Sequence, residues 1–149
     1  MGLNIVQFQT DDQHKFNAVR AIRETVFIIE QQVDEADEFD EYEKVSQHYL
    51  MSLDRKAIGT ARWRVIGDQV KLERFAVLNE YRGNNYGAKL LQQVIKDASK
   101  LNKPLYLHAQ LKAIPFYARQ GFQQIGELFL ECDIEHYKMR MNSVESANQ

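Results

Sequence analysis

The sequence predicts an α/β fold of the α+β kind, with one mixed, mostly antiparallel central sheet and helices against it. Three observations carry this. Alternating runs between Gln47 and Leu78 are separated by short turns. A strand, a helix and a strand follow one another from Val70 to Gln110, and a first strand leads straight into an amphipathic helix. Short turns join antiparallel neighbours, whereas a helical crossover joins parallel ones.

Each element has its own signal. "LNIVQFQ" (Leu3 to Gln9) alternates polar and apolar residues and reads as a strand. Thr10, with Gln13 three residues on, offers a capping box for the helix that follows. Phe16, Val19, Ile22, Val26 and Ile29 recur at steps of three or four, forming one apolar stripe that should fade near Gln32. "DEADEFDEYE" (Asp34 to Glu43) holds seven carboxylates and reads as a solvated loop. Strands are then expected over Gln47 to Leu53, Ala57 to Ile66 and Val70 to Leu78. Leu90, Leu91, Val94, Ile95, Ala98 and Leu101 share a helical face before a strand from Pro104 to Gln110. Pro115 suits the first turn of a short helix that Gly121 stops, and two more strands run to about Met141. A single domain is expected over residues 3–141, with residues 142–149 a polar, frayed tail.

Composition narrows the function. A net charge of −2 supplies no field to draw the molecule onto nucleic acid or an anionic membrane, so neither is an expected partner. The single cysteine, Cys132, rules out an internal disulfide. No secretory signal is visible, and no apolar run approaches the ~20 residues of a membrane span. The expected location is the cytoplasm. His48 and His136 have no partner at the spacing of known metal motifs, so no metal is expected.

"RGNNYGAKLL" (Arg82 to Leu91) lies where a strand should hand over to a helix. It is neither a P-loop nor a dinucleotide fingerprint, because the glycine spacing and the Lys-Ser/Thr pair are missing. Its physics still suits an anion: glycines let backbone N–H groups face outward, the helix start carries partial positive charge, and Arg82 adds a cation. A plain structural turn remains the other reading.

The same segment resembles the pyrophosphate-binding motif of the GNAT acetyltransferases, in which Arg or Gln is followed by two residues, Gly, one residue, and Gly or Ala. Arg82 and Gly87 match its ends, while Asn85 stands in place of the first motif glycine. Asparagine tolerates left-handed backbone angles better than most residues. "LERFAV" resembles the family's central strand, and "IPFYARQGF" its tyrosine helix with the following Gly-Phe. "IRETVFIIEQ", "LHAQ" and "ECDIEHYKM" are similar to the ElaA-like bacterial branch. The resemblance implies an N-acetyltransferase moving acetyl from acetyl-CoA to a primary amine, by direct attack in a ternary complex. A non-catalytic acyl-CoA-sensing module of the same fold is the alternative. It also implies a splayed parallel strand pair, and cofactor contacts at Phe75, Ala76, Val77, Arg82, Gly83, Asn84, Asn85, Tyr86, Gly87, Ala88 and Phe116. A small-molecule or peptide amine is the expected acceptor, and a homodimer is compatible with the family.

Amine acetylation needs a deprotonated nucleophile, a polarised carbonyl and a protonated leaving thiolate. By resemblance Tyr117 is the acid for the thiolate, and a phenol is chemically suited to that role; packing in a short aromatic helix is the other reading. Glu73, in the middle of its strand, is the candidate base, or else an ion-pair partner of Arg62 or Arg64. His108 could relay a proton or bind substrate, or be a buried, hydrogen-bonded histidine. Arg23, Glu30 and Gln31 are candidate acceptor-cleft residues, and the acidic stretch could rim that cleft and attract a cationic amine.

Overall fold

The computed structural model describes residues 2–141, so the expected frayed tail lies outside the described residues. Seven strands form one sheet: β1 (Leu3–Phe8), β2 (Gln47–Leu53), β3 (Lys56–Ile66), β4 (Gln69–Val77), β5 (Leu105–Gln110), β6 (Phe122–Glu131) and β7 (Ile134–Met141). Their spatial order is β1-β2-β3-β4-β5-β7-β6, antiparallel throughout except between β4 and β5. The helices are α1 (Gln13–Arg23), α2 (Glu35–Glu38), α3 (Tyr86–Ala98) and α4 (Ile114–Arg119).

Strand alternation divides the sheet chemically. Tyr49 pairs with Ala61 and Trp63 with Leu72, and this apolar set packs under Leu90, Leu91 and Val94 of α3. The intervening positions put His48, Arg62 and Glu73 in one cross-strand row on the opposite face, beneath α1 and α2. Over that face α1 lays down Phe16, Val19 and Ile22. The crossover through α3 makes β4 and β5 parallel, as expected of a strand–helix–strand unit.

Four local expectations are corrected. The cap of α1 is Asp12, whose side chain accepts from the Lys15 amide at 3.2 Å; its β-carboxylate reaches the third helical amide, so the Thr10 capping box does not form. Beyond Arg23 the helix widens into a π-type turn, Glu24–Glu30, in which the Gln31 amide donates to the Val26 carbonyl five residues back. That wider turn rotates Ile29 off the apolar stripe and leaves it 71% exposed. Helix α3 ends at Ala98 in a 3-10 turn, which turns Leu101 outward.

The largest correction concerns Asp34 to Glu43. It holds a helical turn, α2, and its carboxylates Glu38, Asp40 and Glu43 are drawn against arginines instead of being solvated. Glu38 is 3% exposed.

Candidate active site

Between β4 and β5 the ladder stops early. Val70, Lys71 and Leu72 pair with Leu105, Tyr106 and Leu107, and past that point the two strands diverge. A bulge on the other edge of β4 helps them part. Thr60 pairs with Ala76 and Arg62 with Glu73, so Arg74 and Phe75 together oppose Ala61 alone. Arg74 takes φ 61°, a left-handed value that an L residue adopts only when its surroundings hold it. Its guanidinium supplies that hold, donating to the Asp37 and Glu38 carbonyls and to Asp40 at 3.1–3.3 Å.

The divergence opens a cleft of about 370 Å³, walled by Phe75, Tyr117, His108, Gln31, Glu73 and Glu131 among others. Tyr117, on α4, meets Phe75 and Phe122 edge-on with ring centroids 6.1 Å apart, and Phe116 at 5.1 Å. Burial pushes its phenol pKa up, so the hydroxyl keeps its proton at neutral pH.

The loop after β4 arrives at α3 with the geometry an anion needs. Gly83 sits at φ 82° and Asn85 at φ 69°, ψ 9°, the left-handed conformation its side chain tolerates, as the residue capping α3. The Lys89 amide donates to the Asn85 carbonyl, so the helical ladder begins there and the amides before it have no helical partner. Gly87 does not use a positive φ: a Cβ there would meet Phe116 at 3.7 Å and the Val77 side chain at 3.9 Å. The loop, the β4 terminus and α4 therefore meet at this glycine.

The Arg82 side chain is exposed but tethered. Its Nε donates to the Val77 carbonyl at 2.7 Å, and Nη2 pairs with Glu30 at 2.8 Å. The pair joins the end of the π-type turn to the loop, so Glu30 stands against the candidate cofactor loop and does not wall the cleft.

Glu73 lines the cleft, but its carboxylate is occupied. Oε2 accepts from Arg62 Nε at 2.9 Å and from Arg64 Nε at 2.8 Å, and Lys71 Nζ stands 3.5 Å from Oε1. Burial alone would raise its pKa; the charges of Arg62, Lys71, Arg74 and Arg64 outweigh that and hold it low. The ion-pair reading of Glu73 is the geometry present, and a carboxylate so held is a weak proton acceptor.

Arg62 also makes a bidentate pair with Asp40, both contacts at 2.9 Å, and reaches Glu43 at 2.9 Å. Burial opposes ionisation of Asp40, yet hydrogen bonds from Arg62 win and bring its pKa down to about 2. Arg23 is likewise consumed: fully buried, it donates to Glu38 at 2.7 Å and to Glu43 at 2.8–2.9 Å, and it does not reach the cleft. Its expected contact with the acceptor is corrected to a structural one, because the buried carboxylates recruit its donors. Gln31 does line the cleft, accepting from Gln110 at 2.9 Å.

His108 stands on β5 just past the last parallel pair, with Nδ1 2.9 Å from Glu131 Oε1. Sequence reading missed Glu131. A carboxylate ending the run "LFLE" was the available signal, but its partner follows only from the order β5-β7-β6.

Comparison with known proteins agrees with this architecture. The acetyltransferase (GNAT) domain model matches residues 12–143. The uncharacterized N-acetyltransferase YjcF of Bacillus subtilis is 35% identical over 120 residues, covering 79% of this chain and 86% of YjcF. The crystal structure of an acyl-CoA N-acyltransferase from Pseudomonas aeruginosa superposes with TM-score 0.85 at 27% identity, covering 94% of this chain and 99% of that one. Escherichia coli ElaA shares the fold at TM-score 0.85 and 23% identity, over 93% of this chain and 99% of ElaA. This chain belongs to the GNAT acetyltransferase family.

Proposed function

We propose that the protein transfers an acetyl group from acetyl-CoA to a primary amine, by direct attack with both substrates bound. The observation that carries this is the bulged, diverging end of β4 beside the amide-rich start of α3, with Tyr117 on the wall of the same cleft. Family membership supports acyl transfer from an acyl-CoA; the acetyl group and the amine are this reading's own.

In this reading the loop from Arg82 to Ala88 holds the pyrophosphate through backbone amides, whose charge complementarity needs no particular side chain. Phe75, Ala76 and Val77 take the pantetheine arm and the acyl carbonyl, since the bulge and the divergence free main-chain donors along that edge. Phe116 and Gly87 form the floor between loop and helix. Tyr117 gives its proton to the departing sulfur, a role supported by its place on the wall of the cleft and by a phenol's being protonated at neutral pH.

The test is thiol release from acetyl-CoA in the presence of primary amines, with amide formation followed by mass spectrometry. Amine-dependent release supports the reading. Binding of acetyl-CoA without release for any amine would instead favour a sensing module of the same fold.

A further inference from the structure

We infer that the proton leaving the acceptor nitrogen is taken by His108 at Nε2, with Glu131 as the positioning residue that holds the imidazole through Nδ1. The inference rests on the acetyl-transfer reading and supplies the base that Glu73, tied to two arginines, is poorly placed to be.

The tautomer follows from chemistry. An ionised carboxylate only accepts hydrogen bonds, so the 2.9 Å contact requires His108 Nδ1 to donate, and the neutral ring then carries its lone pair on Nε2. Among the described residues Nε2 has no hydrogen-bond partner. Glu131 stays ionised at neutral pH, as this contact requires. The hydrogen bond with His108 brings its pKa down to about 2, against the opposing effect of burial. The ring is also fixed sideways, edge-on to Phe129 with centroids 4.8 Å apart and tilted against Tyr106 at 5.9 Å.

Position agrees with role. His108 and Tyr117 border the same cleft, so a proton acceptor and a proton donor flank the space left by the diverging strands. Charged groups lining the same cleft as His108 include Glu131 on β6, Lys71, Glu73 and Arg74 on β4, Arg64 on β3 and Asp40 of the acidic segment. His136 Nε2 is 3.9 Å from the second Glu131 oxygen, too far for a hydrogen bond, so Glu131 is bonded to His108 alone of the two histidines. The described residues contain no group of three or more side chains placed to bind a metal.

The step balances without further reactants. The unprotonated amine forms a bond to the thioester carbon as the carbon–sulfur bond breaks. The proton on nitrogen passes to His108 Nε2, and Tyr117 gives its own proton to the sulfur. His108 then releases its proton to solvent, Tyr117 recovers one, and an amide and free coenzyme A remain.

The experiment compares the wild-type chain with His108→Gln and Glu131→Gln, using ethanolamine, lysine, a polyamine and a short peptide with a free α-amine as acceptors. For the best acceptor, His108→Gln is expected to lower kcat/KM by roughly 10²–10⁴-fold. Glu131→Gln should lower kcat by about 10-fold with KM little changed, because the imidazole loses the partner that fixes its tautomer and orientation. Both variants should keep the thermal shift that acetyl-CoA produces. Long-range proton–nitrogen NMR of the wild-type ring should show the Nδ1–H tautomer. Unchanged turnover in His108→Gln, an Nε2–H tautomer, or loss of the acetyl-CoA shift in His108→Gln would each overturn the inference while leaving acetyl transfer standing. A wild-type chain that releases no thiol with any amine would overturn the acetyl-transfer reading itself, and the inference with it.

Discussion

Arg62 and Glu73 face each other across β3 and β4, with Arg62 Nε 2.9 Å from Glu73 Oε2 and both side chains almost wholly withdrawn from water. The pair is the centre of a cluster that includes Asp40, Glu43 and Arg64. Removing one charge strands the other. Glu73→Gln is expected to destabilise the fold by about 3–5 kcal/mol, the usual effect of breaking a buried pair, which lowers Tm by roughly 10 °C for a domain of this size. The acidic limb of kcat/KM should stay in place, and its displacement would return the base role to Glu73.

The same cluster sets a pH dependence of stability. Asp40, Glu43 and Glu73 all have folded-state pKa values below their unfolded ones. Their contribution is therefore complete above the unfolded values near pH 4 and is lost as pH falls through the folded ones, about 2 for Asp40. Glu38 works against them, since burial raises its pKa. Chemical denaturation followed from pH 7 to pH 2 should show a plateau and then a decline beginning near pH 4; a decline already complete at pH 5 would contradict this assignment.

Asn85 holds a backbone conformation that glycine adopts freely. Asn85→Gly should keep acetyl-CoA affinity within about twofold, and Asn85→Val should destabilise the protein by about 1–3 kcal/mol through left-handed strain. Titration calorimetry and thermal melts on the two variants check both. A large affinity loss in Asn85→Gly would assign the amide side chain a contact of its own.

Gly87 makes the reverse prediction. Its backbone is ordinary, and an added Cβ would find van der Waals distances of 3.7–3.9 Å. Gly87→Ala is expected to fold and to bind acetyl-CoA like the wild type, while larger residues should drive Phe116 aside and weaken binding. Affinity measured over Ala, Val and Leu should fall in that order.

Tyr117→Phe removes one hydroxyl and keeps the aromatic packing with Phe75, Phe116 and Phe122. Turnover should fall by about 10²-fold with acetyl-CoA affinity unchanged. Equal turnover in the variant would leave Tyr117 as packing alone.

Much of the fold was legible because it is written in short periods. Alternation marked the strands, the three-and-four spacing marked α3, and the crossover rule made β4 and β5 parallel. The turn at the one replaced motif glycine was legible through Asn85, whose φ the structure finds at 69°. What escaped has longer range. Arg23 meets Glu38 fifteen residues away, Arg62 meets Asp40 at twenty-two, and Arg74 meets Glu38 at thirty-six. No local pattern encodes such partners, so a run of carboxylates read as solvated. The π-type turn escaped for a different reason: one wider turn changes the helical phase without any distinctive residue marking it.

The ion cluster also has a place in time. Arg62–Glu73 and Arg64–Glu73 join neighbouring strands of one hairpin, while the contacts of Arg23 and Arg74 with Glu38 and Asp40 must wait until the segment from Asp34 to Glu43 has closed over the sheet. Contacts that form late strengthen the barrier to escape more than the speed of arrival. Substitutions at Glu38 or Asp40 should hasten unfolding and leave refolding nearly as fast as before. The bulge at Arg74, clamped by that same segment, would then be the last part of the cleft to take shape and the first to be lost.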